Sequence, residues 1–356
     1  MKRIDLVLLI SVLFLTLFGL FMIYDASSYV AFRDFADKYH YIKDQFFWVI
    51  LGAVALGFFS HFDYHKFYNL ALPIMVFAIA LLILVFVPGV GVKLLGARRW
   101  INLHFTLLQP SEFVKLALST YLAAWFSNKE KGRLWAFLLL LAFIIFLVML
   151  EPDMGTAAII LFEGIVIYFL SGAKTIYFVI MGPVIAVLGL IFAKLEPYRA
   201  ARLTTFLNVS QNVDSTSYHV RQILIALGSG GLTGVGIGNS LQKYAFLPES
   251  TTDSIFAIIA EELGFLGSLA IIFVFIIVIW RGFRIATNAK DLFGKLLAGG
   301  IISFLAGQIM INLAAQTALL PLTGIPLPFI SYGGSALIIN LAAIGILLNI
   351  SKQSKV

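Results

Sequence analysis

The feature that most constrains this chain is a series of apolar stretches, each approaching the length needed to cross a lipid bilayer. A transmembrane helix needs about 20 mostly apolar residues, and backbone polar groups in lipid must be satisfied within the protein. Ten such stretches are present: 6–25, 44–60, 67–87, 111–126, 134–150, 154–171, 174–193, 254–281, 295–319 and 333–350. The sequence therefore predicts an all-α, polytopic membrane protein with ten transmembrane helices, forming one domain over residues 1–356.

The composition supports lipid as the solvent of this chain. Hydrophobic residues make up 61% of the 356 residues and charged residues only 12%, whereas soluble domains carry about 25% charged residues. A net charge of +7 would suggest nucleic acid in a soluble protein. Here we expect contacts with anionic membrane lipid and none with nucleic acid, because basic residues flank membrane spans. The absence of cysteine excludes disulfides and thiolate chemistry.

The distribution of basic residues predicts the orientation. One set of helix ends carries thirteen Lys and Arg residues, and the short loops at the opposite ends carry six. Because basic residues favour the cytoplasmic side, both termini are expected in the cytoplasm. The long segment at 194–253, between the seventh and eighth spans, then forms a large extracytoplasmic loop.

Two polar clusters lie at the outer ends of spans. Glu112 and Lys115 are three residues apart, so they share a helix face. They form either a buried ion pair that fixes packing or a cavity wall where Lys115 meets an anionic group. Asp153 follows Pro152 in a tight turn. It either caps the next helix or faces a cavity.

The long loop carries basic and glycine-rich elements. Arg199 and Arg202 share a face if this stretch is helical. They would meet either lipid headgroups or a phosphate, which arginine binds through two hydrogen bonds. The glycines at 228–238 lack the Gly-Lys-Ser/Thr of a P-loop. We interpret them as irregular backbone packed beside protein or water.

The eighth span begins after a polar run that includes Glu249 and Asp253. Asp253 is either an N-cap of the helix or, if partly buried near Glu249, a carboxylate suited to acid–base work. Glu261 and Glu262 lie further into the same helix and, as ionisable groups within hydrocarbon depth, must face protein or water. We expect them to be structural.

The ninth span has a polar face. Gln308, Asn312 and Gln316 are spaced by four, so the stripe either bridges helices or lines a cavity. The following segment, 321–329, contains three prolines. It is predicted to be a non-helical, re-entrant loop that closes the outer mouth of the bundle.

Six motifs in this chain carry a resemblance to a known family. They are Gly96-Ala97-Arg98-Arg99-Trp100-Ile101, Gln109-Pro110-Ser111-Glu112, Glu151-Pro152-Asp153-Met154-Gly155-Thr156, Tyr198-Arg199 to Arg202, Leu247-Pro248-Glu249 to Gly264, and Gly324-Ile325-Pro326-Leu327-Pro328 to Ser335. In these motifs, and in their order, the chain resembles the bacterial SEDS proteins (shape, elongation, division and sporulation), the group containing RodA, FtsW and SpoVE. Ser254 and Thr251 depart from the Phe and His typical at those positions.

The resemblance implies a function. A SEDS protein polymerises lipid II, the undecaprenyl-pyrophosphate-linked disaccharide-peptide, at the outer face of the bacterial cytoplasmic membrane. It works with a class B penicillin-binding protein. Asp253 matches the essential aspartate of the family and is expected to act as the catalytic base. A lipid II flippase and a non-catalytic scaffold for the penicillin-binding protein are the alternatives.

The residues expected to contact substrate share a polar or basic character and an outer position. Candidates for the pyrophosphate are Arg98, Arg99, Lys115, Arg199 and Arg202, and further substrate contacts are expected from Glu249, Gln308 and Asn312. Glu112, Asp153, Glu261 and Glu262 are assigned structural roles. No metal ligands are predicted, although a divalent cation, Mg²⁺ or Mn²⁺, could accompany the pyrophosphate.

Overall fold

The computed structural model describes residues 4–94, 97–103, 106–128, 133–195 and 215–354. Within these ranges the chain forms helices and one small sheet. In chain order the elements are α1 (Leu6–Phe35), α2 (His40–His61), α3 (Lys66–Leu84), β1 (Gly91–Leu94), β2 (Ala97–Asn102), β3 (Leu107–Leu108), α4 (Pro110–Ser127), α5 (Leu134–Leu150), α6 (Met154–Leu170), α7 (Thr175–Leu195), α8 (Ser215–Gly230), α9 (Ile255–Asn288), α10 (Leu292–Gln316) and α11 (Gly334–Gln353).

The helices confirm a multi-pass membrane protein. Among the described residues, six helices (α1, α2, α3, α9, α10 and α11) are long and apolar enough to cross a membrane. Three shorter apolar helices add to them at Leu134–Leu150, Met154–Leu170 and Thr175–Ile185. The remaining predicted span, α4, has 18 residues, most of them buried. The helical class is confirmed, and the count of ten spans stays a prediction.

Helix α10 lies at the centre of the bundle and contacts α4, α6 and α9, while α11 packs along α2. Small residues permit these close approaches, as is usual for helices in membranes. A Cβ on Gly300 would lie 2.7 Å from Ser119 Oγ, and one on Gly345 would lie 2.6 Å from the Leu56 carbonyl oxygen. The tight packing around α10 fixes the position of the polar side chains it carries.

A three-stranded antiparallel sheet, in the order β1-β2-β3, joins α3 to α4. Val92 pairs with Trp100, and Ile101 pairs with Leu108. The β-branched and aromatic residues at these positions favour strands, but the strands are too short to stand out as a pattern in the sequence. The prediction of an all-α fold therefore missed this sheet.

Helix α9 is broken at Gly264, which has φ 68° and ψ −168°. The break leaves backbone groups without helical partners, and the glycine-rich segment after α8 supplies new ones. The amides of Val235 and Gly236 donate to the carbonyls of Glu261 and Glu262, each at 3.0 Å. In return, the amides of residues 265 and 266 donate to the carbonyls of residues 231 and 232. The predicted irregular backbone at 228–238 thus packs against protein.

The segment between α10 and α11 is irregular, as its prolines predicted. Residues 321–327 have no regular secondary structure, and turns follow up to α11. The amide of Leu327 donates to Ser331 Oγ at 2.8 Å, and the amide of Tyr332 donates to the Thr251 carbonyl at 2.9 Å. This segment is therefore tied to the residues that precede α9.

Candidate active site

A cavity of about 890 Å³ opens where the residues before α9 meet the segment before α11. Its walls come from α2, the small sheet, α8 and these two segments. The lining residues are His40, Asp44, Trp48, Ala97, Arg99, Trp100, Thr106, Leu107, Gln109, His219, Pro248, Glu249, Thr252, Asp253, Leu322, Thr323, Gly324, Pro326, Tyr332, Gly333, Gly334, Ser335 and Ala336. Apolar walls with a few convergent polar groups are typical of a ligand site.

Asp253 lies at this cavity with its side chain partly exposed. It does not cap α9, because the capping position belongs to Ser254. Its backbone carbonyl accepts hydrogen bonds from Asn312 Nδ2 at 2.9 Å and from Gln316 Nε2 at 2.6 Å. Its carboxylate accepts from Thr252 Oγ1 at 3.2 Å. The polar face of α10 thus holds the Asp253 backbone while its side chain reaches the cavity.

Glu249 is the second carboxylate on this wall. Thr252 Oγ1 lies 2.8 Å from Glu249 Oε2, so one hydroxyl contacts both Glu249 and Asp253. Glu249 has φ 50°, a left-handed conformation that is uncommon for residues other than glycine. The amide of Ser254 donates to the Glu249 carbonyl at 3.1 Å, which closes this strained turn.

Arg99 brings a positive charge to the opposite wall. Its guanidinium donates to the carbonyl of Glu151 at 2.9 Å and to the carbonyl of Pro152. The Glu151 side chain is wholly buried, and neither carboxyl oxygen has a hydrogen-bond partner within the described part of the chain. Burial raises the pKa of Glu151 to about 9, the charge of Asp153 adds to this, and Arg99 opposes it. At neutral pH Glu151 is therefore protonated and leaves the charge of Arg99 to the cavity.

The structure separates the other candidate substrate residues from the cavity. Lys115 is wholly buried, and its Nζ lies 2.8 Å from Glu112 Oε1. The pairing predicted from spacing is thus present, and the expectation that Lys115 binds pyrophosphate is wrong, because the bundle encloses it. Gln308 is wholly buried too and does not line the cavity. Arg98 is exposed on β2, away from the cavity lining.

Two further expectations have different outcomes. Asn312 supports the site indirectly, since its amide donates to the carbonyls of Asp253 and Ile325, rather than lining the cavity. Arg199 and Arg202 lie outside the described residues, so their role in binding pyrophosphate stays a prediction.

Asp153 and the glutamates of α9 have structural contacts. Asp153 caps α6 by accepting from the amide of Thr156 at 3.0 Å. Glu261 accepts from Ser240 Oγ and from the amide of Leu241, and Glu262 accepts from Lys243 Nζ at 3.0 Å. Both glutamates thus hold the turn that leads to the Asp253 segment.

The sequence analysis missed several cavity residues on α2, α8 and the last loop. Asp44 accepts hydrogen bonds from Tyr332 Oη and from Trp48 Nε1, and burial, followed by this contact with Asp44, raises the pKa of Tyr332. His219 lies with its Nε2 2.7 Å from Ser254 Oγ. A signal existed for Asp44, a charged residue at the start of a span, but none marked His219 within the long loop.

The arrangement can perform acid–base chemistry beside an anion. A partly exposed carboxylate with a fixed backbone and a guanidinium across the cavity would suit removal of a proton from an alcohol and stabilisation of a phosphate. Among the residues that the structure describes, no group of three or more His, Asp or Glu side chains is placed to hold a metal ion.

The chain matches known proteins over nearly its whole length. The model of the cell cycle protein family FtsW/RodA/SpoVE matches residues 5–356. Stage V sporulation protein E of Bacillus subtilis (strain 168) is 42% identical, over 99% of this chain and 98% of that protein. The probable peptidoglycan glycosyltransferase FtsW of Geobacter sp. (strain M18) is 38% identical, over 99% of this chain and 97% of that protein.

Solved structures share the fold. A chain from a peptidoglycan synthase complex, described for its coordination of polymerisation and crosslinking, superposes with a TM-score of 0.81 at 25% identity, covering 99% of this chain and 98% of that one. The rod shape determining protein RodA of Thermus thermophilus superposes with a TM-score of 0.73 at 26% identity, covering 99% and 98%. On these matches and on the fold, the chain belongs to the FtsW/RodA/SpoVE family of membrane proteins.

Proposed function

We propose that this protein is a peptidoglycan glycosyltransferase that polymerises lipid II into glycan strands. The observation that carries the proposal is the placement of Asp253, whose side chain is partly exposed at a large cavity while α10 holds its backbone. The names of the FtsW relatives and membership of the family support the same activity.

The reaction joins the 4-hydroxyl of an acceptor sugar to the anomeric carbon of a donor. Asp253 takes the proton of that hydroxyl as its oxygen attacks the carbon, and the bond from the carbon to the pyrophosphate oxygen breaks. The electron pair of that bond leaves with the lipid pyrophosphate. The α-linked donor becomes a β-linked product, so one inverting displacement with one base is sufficient. A positioned base typically contributes about 10²–10⁴-fold to the rate.

The departing pyrophosphate needs positive charge at the cavity. Arg99 supplies it from the sheet side, because the neutral Glu151 beneath it does not cancel the charge. Arg199 and Arg202 are proposed to add to this charge from the long loop. If a divalent cation takes part, Glu249 and Asp253 are its candidate ligands, since Mg²⁺ is often held by one or two carboxylates together with substrate phosphates.

We place the protein in the bacterial cytoplasmic membrane, with both termini in the cytoplasm and the cavity at the outer face. The excess of basic residues at the opposite helix ends supports this orientation. A class B penicillin-binding protein is the proposed partner, in agreement with the synthase complex that shares the fold.

The direct test is Asp253→Asn in the purified full-length protein, incubated with labelled lipid II. Asn keeps the size of the side chain but cannot accept the proton, so polymerisation is expected to fall about 100-fold or more, with unchanged thermal stability. Asp34→Asn is the matched control, because Asp34 is exposed and pairs with Arg33 away from the cavity. A full rate of polymerisation by Asp253→Asn would exclude Asp253 as the base.

A further inference from the structure

The four residues from Thr251 to Ser254 are held one by one from neighbouring elements. The carbonyls of Thr251 and Thr252 accept from Tyr332 N and Ser331 Oγ, in the last loop. The carbonyl of Asp253 accepts from two amides of α10. The fourth contact differs from these, because it joins the side chain of Ser254 to a side chain on α8.

The contact between Ser254 and His219 is short and largely shielded. Ser254 is wholly buried, and although it occupies the capping position of α9, its hydroxyl does not cap the helix. Instead its Oγ lies 2.7 Å from His219 Nε2. His219 is partly exposed and lines the same cavity as Asp253.

Helix α8 is anchored so that His219 has a defined position. It packs against α9 and buries Val220, Ile223 and Ala226. At its C-terminal end, a Cβ on Gly230 would lie 2.1 Å from the Ala260 carbonyl oxygen, so the two backbones are in direct contact. The helix thus meets α9 at Ala260 and again at Ser254.

We propose that His219 is a positioning residue, which fixes the first turn of α9 through Ser254 and thereby aligns the Asp253 carboxylate. The inference rests on the proposed function, in which Asp253 is the base. A shift of about 1 Å in a catalytic group can cost about 100-fold in rate. Because three other ties remain when His219 is lost, the expected effect is smaller.

The test is a double-mutant cycle on the full-length protein with labelled lipid II. His219→Ala and Ser254→Ala are each expected to lower kcat about 3- to 10-fold, the range of one lost hydrogen bond, with KM within about twofold. The double variant is expected to lose no more than either single variant, because both remove the same contact. His219→Gln, whose amide reaches the place of the imidazole Nε2, should recover most of the rate.

The control is His61→Ala, which removes an exposed imidazole at the far end of α2, and its kcat should equal the wild-type value. Thermal unfolding of each variant separates misalignment from loss of fold. If His219→Ala fails to fold, Ser254→Ala still removes the contact by deleting a single oxygen atom.

Three results would overturn the inference while leaving the enzyme assignment intact. They are undiminished kcat in both single variants, additive losses in the double variant, and a loss in His219→Ala of 100-fold or more without one in Ser254→Ala. The last result would mean that His219 acts on the substrate directly. A wild-type protein that forms no polymer would instead refute the proposed function, and the inference with it.

Discussion

The break in α9 makes a specific prediction for Gly264→Ala. A Cβ at this position would lie 2.2 Å from the Gly234 amide nitrogen and 2.6 Å from the Thr233 carbonyl carbon. Both are backbone atoms, so relief requires the two segments to move apart. The φ of 68° and ψ of −168° also lie in a region that is nearly exclusive to glycine.

The magnitude follows from two contributions. Strained backbone of this kind costs about 1–3 kcal/mol. Four backbone hydrogen bonds join residues 231–236 to the break, and losing two of them costs about 1–3 kcal/mol more. The substitution should therefore destabilise the protein by about 2–6 kcal/mol, a large share of the 5–15 kcal/mol typical of a folded protein.

The measurement is thermal unfolding of the purified protein in lipid nanodiscs, with Gly57→Ala as the matched control. Gly57 lies within α2, where an added Cβ meets nothing within 4 Å. This control should be neutral or slightly stabilising, since alanine favours helix over glycine. We expect Gly264→Ala to lower the melting temperature by about 5 °C or more. Equal melting temperatures for the two variants would refute the reasoning.

Two further predictions concern buried charges. Burial raises the pKa of Glu151 to about 9, above the value near 4.3 of an unfolded chain, so the folded state holds an extra proton between these values. Stability should fall as the pH rises from about 4.5 to 9, and Glu151→Gln should flatten that slope in melting temperatures taken at pH 5, 7 and 9; an unchanged slope would contradict the assignment. Lys115→Met leaves Glu112 as an unpaired buried charge and should destabilise by about 3–5 kcal/mol. The double variant with Glu112→Gln should recover most of that loss in the same measurement, and a double variant as unstable as the single one would argue against the pairing.

Local sequence relations predicted local structure well. The spacing of Glu112 and Lys115 predicted their ion pair, and Asp153 caps α6. Such contacts depend on three-residue spacing or on the first turn of a helix, which are the same in any fold. The capping hypothesis for Asp253 had the same local form but was wrong, because α9 begins one residue later than it requires.

The depth and facing of polar residues were harder to predict. Lys115 and Gln308 were expected at the cavity, yet the bundle encloses both. Periodicity shows that Gln308, Asn312 and Gln316 share one face of a helix. It does not show what that face meets, which depends on the packing of α4, α6 and α9 around α10.

The sequence by itself determined that this chain lies in a membrane, where its polar residues concentrate and which carboxylate begins the span after the long loop. Apolar length and charge are properties of the chain and need no partner element. Only the tertiary structure brought Arg99, Asp44, His219 and Asp253 around one cavity and broke α9 at Gly264. These residues are far apart in sequence, and their proximity results from helix packing and backbone exchange between segments, which no local pattern records.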